Sequence, residues 1–378
     1  MAACVAALWG TEQIASRWRC RANDASAIAP AGGVLYGVNL DWASETLTQY
    51  AQSLGHTPAV AAQFTNLPYT DTEWSWVQAA ADQVGTAGGV LLLTLEPHQG
   101  LNAVDEPVVD RLASDLRRLN DEGTPVVLRL AHEMNGSWYA WSQQPTRYVE
   151  VFDAVAAAVH QRARGTQMLW APSYGGGYPF SGGQYAASPG SRDFELLDTN
   201  GDGVLDMHDD PYLPYYPGDN AVDWVGMSLY HWGNHYPWGR NEIPETGKLA
   251  EQLTGTYAGS AGDETALPDF YKIYGTEHAR PVAITETAAL YAPGRSGDGE
   301  QDLKQAWWRQ VFASATHERF PMLKMINWFE WDKYEPEISG RVDWRTLADP
   351  TIRAAFVADL PPWLTYGEDL HACTWGFG

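Results

Sequence analysis

The feature that most constrains the fold of this chain is a regular alternation of short apolar runs with longer amphipathic segments. Eight runs have the length and β-branched, apolar composition of buried strands, and they cover residues 34–40, 59–66, 89–95, 126–131, 167–172, 223–230, 281–285 and 323–329. The clearest segments of helical periodicity between them are residues 105–122, 145–162 and 302–318. Strict alternation of strand and helix requires a parallel sheet, and eight repeats suit a closed barrel. We therefore predict an α/β protein with a (β/α)8 (TIM) barrel.

An open, doubly wound sheet is the alternative architecture. Such sheets often carry a G-x-G-x-x-G turn after the first strand, and this chain has none there. The glycines at 175–177, after the fifth predicted strand, do not match that pattern. A chain of 378 residues is within the range of a single α/β barrel. We assign residues 33–378 to one catalytic barrel domain.

Residues 1–32 are predicted to form a leader or N-terminal arm. The apolar stretch from Cys4 to Trp9 has no basic residue before it, and three arginines follow it, so it is a poor match to a signal peptide. The three cysteines are Cys4, Cys20 and Cys373, too few for a disulfide scaffold. One pair near the termini is conceivable, but we expect no essential disulfide.

Charge and composition exclude several classes of partner. The formal net charge of −23 disfavours nucleic acids and anionic membranes, and no apolar run approaches the length of a transmembrane helix. A neutral polysaccharide meets no such repulsion. The chain has 18 Trp, 19 Tyr and 10 Phe, whose flat rings can stack on sugars, although about half should serve the core. We expect a polysaccharide ligand, no nucleic-acid or membrane partner, and a monomer.

Two glutamates occupy matching positions at predicted strand ends. Glu133 follows the apolar run 126–131, and Glu286 follows the run 281–285. Burying a carboxylate is costly unless it is paired or has a chemical role. A retaining glycosidase needs two carboxyl groups about 5–5.5 Å apart, one to protonate the leaving oxygen and one to attack the sugar. The alternative is that both are structural members of buried ion pairs. We favour catalysis, with an apolar, aromatic setting for Glu133 and donors such as Tyr230 and Arg129 for Glu286.

Polar and aromatic residues also follow the other predicted strands. Catalytic residues of barrel enzymes lie at the carboxyl ends of strands, where this chain carries Trp42, Glu96, His98, His132, Asn135, Trp138, Tyr230, Trp232, Trp328, Glu330 and Trp331. Packing alone does not explain why so many polar and aromatic residues follow the strands at one end of the barrel. The glycine- and aromatic-rich segment 230–239 is interpreted either as a cleft wall or as a plug over the barrel mouth.

Three segments resemble glycoside hydrolase family 26, one of the retaining barrel glycosidases. They are residues 132–139 (HEMNGSWY), 284–286 (ITE) and 327–329 (NWF), and the resemblance extends over residues 34–360. It implies that Glu133 is the acid/base and Glu286 the nucleophile. It also implies that Tyr230 hydrogen-bonds the nucleophile with His132 nearby, and that Trp138 and Trp328 are platforms for sugars. For His132, a satisfied core histidine is an equal alternative to a direct sugar contact.

One departure from the family pattern bears on specificity. Mannanases of the family usually present a histidine after the third strand, whereas this chain has Glu96-Pro97 followed by His98. That sequence looks closer to the members that cleave β-glucans. We predict a retaining endo-β-glycanase acting on a β-1,4- or mixed-linkage β-1,3/1,4-glucan. The alternatives are an endo-β-1,4-mannanase and a non-catalytic carbohydrate-binding barrel. The predicted substrate-binding residues are His132, Asn135, Trp138, Tyr230, Trp232, Trp328, Glu96 and Trp42.

A second motif, residues 198–209 (DTNGDGVLDMHD), has the spacing of a calcium-binding loop. Its predicted ligands are the side chains of Asp198, Asn200, Asp202, Asp206 and Asp209 and the carbonyl of Val204. The loop resembles those of dockerin modules, but prolines follow it where an EF-hand helix would stand. We expect a structural Ca²⁺ loop inserted between strands five and six, with a solvated acidic turn as the alternative. Catalysis itself should need no cofactor, and the polymeric substrate implies an extracellular, secreted protein.

Overall fold

The computed structural model describes Ala22, Ala25, residues 28–259 and residues 264–370. Within these ranges the strands of the barrel are β1 (Val34–Leu40), β2 (Val60–Asn66), β3 (Val90–Glu96), β4 (Val126–Leu130), β5 (Thr166–Trp170), β6 (Trp224–Ser228), β7 (Val282–Thr287) and β8 (Leu323–Glu330). Each pairs in parallel with the next, and β8 pairs with β1 from Leu35–Met325 to Leu40–Glu330. The predicted (β/α)8 barrel is confirmed, and every predicted strand boundary lies within two residues of the observed one.

Helices alternate with these strands, as predicted. They are α1 (Leu47–Leu54), α2 (Asp71–Thr86), α3 (Glu106–Asp121), α4 (Pro145–Arg162), α5 (Arg192–Leu197), α6 (Lys248–Leu253), α7 (Glu300–Val311), α8 (Ser314–Arg319) and α9 (Pro350–Asp359). A π-helix, Tyr271–Glu277, precedes β7. The single helix predicted over 302–318 is wrong, because the chain leaves helical geometry at Phe312 and Ala313 and restarts as α8.

Local sequence explains where the early helices begin. Thr46 before α1 and Thr70 before α2 each accept a hydrogen bond from the third helical residue, whose Gln49 or Glu73 side chain bonds back. These capping boxes satisfy backbone donors that the first turn leaves free. Asp105 caps α3 in a similar way. The helix starts therefore follow from sequence, whereas the packing of each helix is decided by its apolar face.

The core has two layers because successive side chains of a strand point to opposite faces. Inside the barrel lie small and medium apolar side chains, among them Leu35, Val60, Leu92, Val127 and Met325. The alternate residues pack outwards against the helices in a larger cluster. This outer layer holds the barrel closed and leaves the carboxyl ends of the strands free to present polar groups.

Two further features follow β8. An antiparallel hairpin, β9 (Asp332–Glu335) and β10 (Gly340–Asp343), rises beside the barrel mouth, and a short strand β11 (Leu364–Thr365) pairs with the start of β1. Arg341 and Arg345 both bind the carboxylate of Asp332, which ties the hairpin together. The hairpin was not predicted, since its strands are too short to show a pattern.

The described helices include none with the length and hydropathy needed to span a bilayer. Most of the predicted arm, residues 1–32, lies outside the described residues, and so do Cys4, Cys20 and Cys373. The domain boundary and the cysteine pairing therefore stay predictions.

Candidate active site

Glu133 and Glu286 meet at the mouth of the barrel. Glu286 belongs to β7, and Glu133 comes three residues after the last residue of β4. Ala131 and Glu133 have φ of 46° and 54°, in the left-handed region that non-glycine residues rarely adopt. The Glu133 amide also donates to the carbonyl of Ala171 after β5 (2.9 Å). The loop is thus held in an uncommon conformation that keeps Glu133 at the strand ends.

Both carboxylate oxygens of Glu286 accept strong hydrogen bonds. Arg129 Nη2 donates to Oε1 and the Tyr230 hydroxyl donates to Oε2, each at 2.6 Å. Arg129 is fully buried and is oriented by a bond from its Nε to Thr94 Oγ1 (2.9 Å). A cationic donor beside a carboxylate offsets the cost of removing its charge from water. These contacts, which the sequence predicted, suit a carboxylate that acts as a nucleophile.

Glu133 has a different environment. Burial, together with the negative charge of Glu286, raises its pKa to about 7. The Trp138 indole donates from Nε1 to Glu133 Oε2 (3.1 Å), and this ring packs edge-on against Phe180. A carboxyl group with this pKa can hold a proton near neutral pH and give it up on demand. The two glutamates are therefore chemically distinct.

His132 lies among aromatic side chains next to Glu133. It is 2% exposed, and its ring is near Phe64, Tyr139 and Trp141. Burial, reinforced by the Arg129 charge, lowers its pKa well below the usual value, so the ring is neutral. Within the described part of the chain, Nδ1 has no hydrogen-bond partner. A direct sugar contact and a core role both stay predictions for His132.

Trp328 is not a sugar platform, and that prediction is wrong. Its side chain is fully buried and packs against Phe312 and Phe356 in the outer helix layer. Alternation along β8 sends the next residue, Phe329, to the opposite face, where it packs edge-on against Tyr230 and stacks with Trp331. Phe329, and not Trp328, is therefore the β8 aromatic residue that lies beside Tyr230, a donor to Glu286.

Asn135 is likewise not placed to bind substrate. It is fully buried, its amide nitrogen donates to the carbonyl of Ser173, and its amide oxygen accepts from the Ser173 amide, both at 2.8 Å. This pair of bonds joins the loop after β4 to the segment after β5. Asn135 thus positions the loop that carries Glu133, and its prediction as a substrate ligand is wrong.

The remaining predicted residues surround the mouth. Trp138 is 37% exposed, Trp232 is half-buried against Tyr230 and Trp344, and Trp42 is half-buried with its Nε1 bonded to the Ala62 carbonyl. Glu96 ends β3 with its carboxylate 3.6 Å from His98 Nε2. Burial raises the pKa of Glu96, and Arg129 and Glu286 are close enough to affect it in opposite directions. Glu96 is therefore a third carboxyl group of the site.

Sequence analysis missed the contribution of the hairpin. Lys333 Nζ lies 5.4 Å from the centre of the Phe329 ring and 3.2 Å from Glu335 Oε1. Trp344, just after β10, contacts Tyr230 and donates from Nε1 to Glu335 (2.8 Å). Nothing in the sequence shows that this hairpin packs beside the aromatic residues at the end of β8.

The acidic loop 198–209 lies between α5 and β6, as predicted. Asp198 accepts from the amides of Asp202 and Gly203, and buried Asp209 accepts from those of Thr199, Asn200 and Asp206. The described residues contain no group of three or more His, Cys, Asp or Glu side chains arranged to hold a metal ion. Calcium binding therefore stays a prediction.

Comparison with known proteins finds a family that part of the chain resembles. Residues 37–190, from β1 to the loop after β5, match the sequence model of glycosyl hydrolase family 26. The match covers less than half of the chain. This confirms the predicted resemblance over a shorter range than residues 34–360. Glu133 lies inside the family 26 match and Glu286 lies beyond it, so the pairing of the two rests on the geometry.

Curated proteins named for different activities are similar to parts of this chain. Endoglucanase H of Acetivibrio thermocellus is 29% identical over 209 residues, covering 52% of this chain and 19% of that protein. Mannan endo-1,4-beta-mannosidase A and B of Caldalkalibacillus mannanilyticus is 28% identical over 124 residues, covering 33% of this chain and 20% of that protein. The chain thus spans about a fifth of the length of these curated relatives.

A solved structure shares the fold. The Cellulomonas fimi endo-beta-1,4-mannanase double mutant superposes with a TM-score of 0.57 at 16% identity, covering 94% of this chain and 78% of that one. At this identity the likeness concerns the barrel alone.

Proposed function

We propose that this chain is a retaining endo-β-glycanase that hydrolyses a β-glucan with 1,4 or mixed 1,3/1,4 linkages by double displacement. The observation that carries the proposal is the asymmetry of the two glutamates. Burial raises the pKa of Glu133 to about 7, whereas Glu286 is held by Arg129 and Tyr230. The match of residues 37–190 to the glycosyl hydrolase family 26 model supports a glycosidase.

The chemistry follows from these roles. An oxygen of Glu286 attacks the anomeric carbon, the glycosidic bond breaks, and Glu133 gives its proton to the departing oxygen. This leaves a glycosyl ester on Glu286 and a carboxylate on Glu133. Glu133 then takes a proton from water, whose oxygen attacks the anomeric carbon and frees Glu286. Two inversions retain the configuration. A polymeric substrate also supports an extracellular site of action.

A glucan is the substrate we favour, and a mannan is the alternative. The similarity to an endoglucanase extends over 209 residues, against 124 for a mannosidase, and Glu96 replaces the histidine expected of mannanases. The test is reducing-end release from mixed-linkage glucan, cellulose derivative, glucomannan, galactomannan, β-1,3-glucan and xylan. Hydrolysis of mixed-linkage glucan but not galactomannan supports the proposal, and the reverse result supports a mannanase. No hydrolysis of any polymer would favour a non-catalytic carbohydrate-binding barrel.

Substitution of Tyr230 by phenylalanine will lower kcat about 10- to 100-fold, because it removes a hydrogen bond to a charged group that contributes about 1.5–3 kcal/mol. The measurement is steady-state hydrolysis of the best polymer in the panel. Tyr334→Phe is the matched control, since Tyr334 is 64% exposed on the hairpin. An unchanged kcat in Tyr230→Phe would show that this bond does not assist catalysis.

For the loop 198–209 we propose a structural Ca²⁺ bound by the predicted oxygen ligands. If so, chelation will lower Tm by about 3 °C, because loss of a ligand that binds only the folded state removes its contribution to stability. Far-ultraviolet circular dichroism should not change. Asp202→Asn should lose the response to chelator, while Glu195→Gln in the preceding helix should keep it. An unchanged melting curve would show that the loop holds no stabilising Ca²⁺.

A further inference from the structure

A cavity of about 250 Å³ lies outside the catalytic centre, between the loops that follow β4 and β5. Its lining includes Ser142 and Gln144 before α4, Tyr185 and Ser188 in the loop, and Asp193 in α5. This volume accommodates a sugar unit, and a concave site with one aromatic wall and several polar groups is typical of small-molecule recognition. Neither the sequence motifs nor the family match assigns a role to it.

The cavity is linked through Ser137 and Phe180 to Trp138, the neighbour of the proposed acid. The Tyr185 amide donates to the carbonyl of Ser137 (3.0 Å), and Ser137 Oγ donates to the carbonyl of Phe180 (2.6 Å). Phe180 in turn packs against the Trp138 ring. Since an acid must lie beside the oxygen that it protonates, Trp138 marks the leaving-group side of the cleft. The cavity is therefore further along that same side.

The walls of the cavity are held in place. Buried Gln143, with φ of 51°, accepts from the Ala187 amide and donates to the Pro179 carbonyl, both at 2.8 Å. Gly183 lies so close to Ser137 that an added Cβ would be 2.0 Å from its hydroxyl oxygen. A binding site that is already ordered loses less conformational entropy when a ligand arrives.

Polar groups in the cavity are free to meet a ligand. The side-chain amide nitrogen of Gln144 donates a hydrogen bond to the carbonyl of Ala140, while its amide oxygen accepts no hydrogen bond from the described residues. The Asp193 carboxylate likewise accepts no hydrogen bond from the described residues; burial raises its pKa, and the nearby Arg192 charge acts in the opposite direction. The Tyr185 side chain is 37% exposed. Acceptors beside an exposed ring match a sugar, which has hydroxyl donors around its edge and apolar C–H faces.

We propose that this cavity is a distal sugar-binding subsite for the leaving-group portion of a β-glycan, with Tyr185 as the stacking platform and Gln144 and Asp193 as hydroxyl acceptors. The proposal rests on the proposed function in one respect, the assignment of Glu133 as the acid. The subsite extends the cleft beyond Trp138 and gives the protein a reason to prefer long chains. It acts in binding and takes no part in bond cleavage.

Calorimetric titration of matched β-glucan oligosaccharides tests the subsite. All variants carry Glu133→Gln to prevent turnover. We expect Tyr185→Ala to weaken binding of a hexasaccharide about five- to tenfold and to leave that of a disaccharide unchanged. Tyr185→Phe should retain hexasaccharide affinity, and Asp193→Asn should reduce it. Tyr334→Ala, which removes a tyrosine ring that is 64% exposed on the hairpin, should have no effect.

The possible outcomes test the proposed subsite and the proposed catalytic function independently. Equal hexasaccharide affinity in Tyr185→Ala and its parent overturns the subsite, even if the wild-type chain hydrolyses the polymer. Weakened affinity together with a wild-type chain that hydrolyses nothing supports the subsite and overturns the proposed catalysis. Absence of binding to any oligosaccharide overturns the subsite. Melting curves of Tyr185→Phe and Asp193→Asn show that the comparison is made between folded proteins.

Discussion

Replacement of Glu286 by glycine will reduce hydrolysis about 10⁴-fold or more, and added azide will restore part of the turnover. The variant lacks the oxygen that attacks the anomeric carbon, while Glu133 can still protonate the leaving group. Azide is small enough to enter the space left by the side chain between Arg129 and Tyr230. Because azide then attacks from the side that Glu286 occupied, the product should be an α-glycosyl azide. The measurement is turnover of an activated aryl β-glycoside with and without azide.

Glu330 supplies a matched control for this experiment. It also is a buried glutamate at the end of a barrel strand, but its carboxylate accepts bonds from Thr346 and Leu347 in the outer layer. Glu330→Gln should keep its activity and gain nothing from azide. Residual activity of Glu286→Gly near the wild-type level, or a β-glycosyl azide as product, would contradict the nucleophile role.

Replacement of Glu133 by glutamine will lower kcat on polysaccharide about 10²- to 10⁴-fold, the usual contribution of a general acid. Activity on a substrate with a good leaving group should fall less in the first step, since that group departs without a proton. In the wild-type protein, the first step needs protonated Glu133, whose pKa burial raises to about 7. The wild-type kcat/KM should therefore decline as pH rises through about 7, and Glu133→Gln should lose this alkaline limb.

The control for the pH profile is a buried carboxyl group that has a similar pKa but lies outside the proposed catalytic pair. Burial also raises the pKa of Glu330 to about 7. If the alkaline limb reported only the titration of buried carboxyl groups that support the fold, Glu330→Gln would change it as well. We expect Glu330→Gln to keep the limb. Melting curves measured across the same pH range exclude unfolding as its cause. A limb that persists in Glu133→Gln would show that another group is the acid.

The proposed catalytic pair could be predicted because its signals are local. An apolar run that ends in a glutamate is visible in the sequence at 126–133 and again at 281–286. The topology of a parallel barrel brings all carboxyl strand ends to one face, so the pair is expected to meet whatever the details of packing. The donors to Glu286 were predicted for the same reason, since Arg129 lies in β4 and Tyr230 just after β6.

The wrong site predictions concern side chains whose direction or partners the sequence does not show. In a strand, a shift of one residue decides which face of the sheet a side chain occupies. Trp328 and Phe329 are neighbours in β8, and the pleat of the strand buries one against the helices and turns the other towards the mouth. Asn135 follows a strand end, as a ligand would, yet its amide is used by the backbone of Ser173. A sequence lists candidates for a site and does not show which of them already have partners.

The amino-acid sequence by itself determined the barrel, its strand order and the two glutamates of the proposed site, because periodicity and strand ends are properties of short segments. Only the tertiary structure decided that Trp328 packs against the helices while Phe329 faces Tyr230, that the hairpin after β8 lies beside the mouth, and that a cavity forms beside Tyr185. These features depend on contacts between residues that are distant in the chain. A local sequence pattern does not show which distant side chains will come into contact.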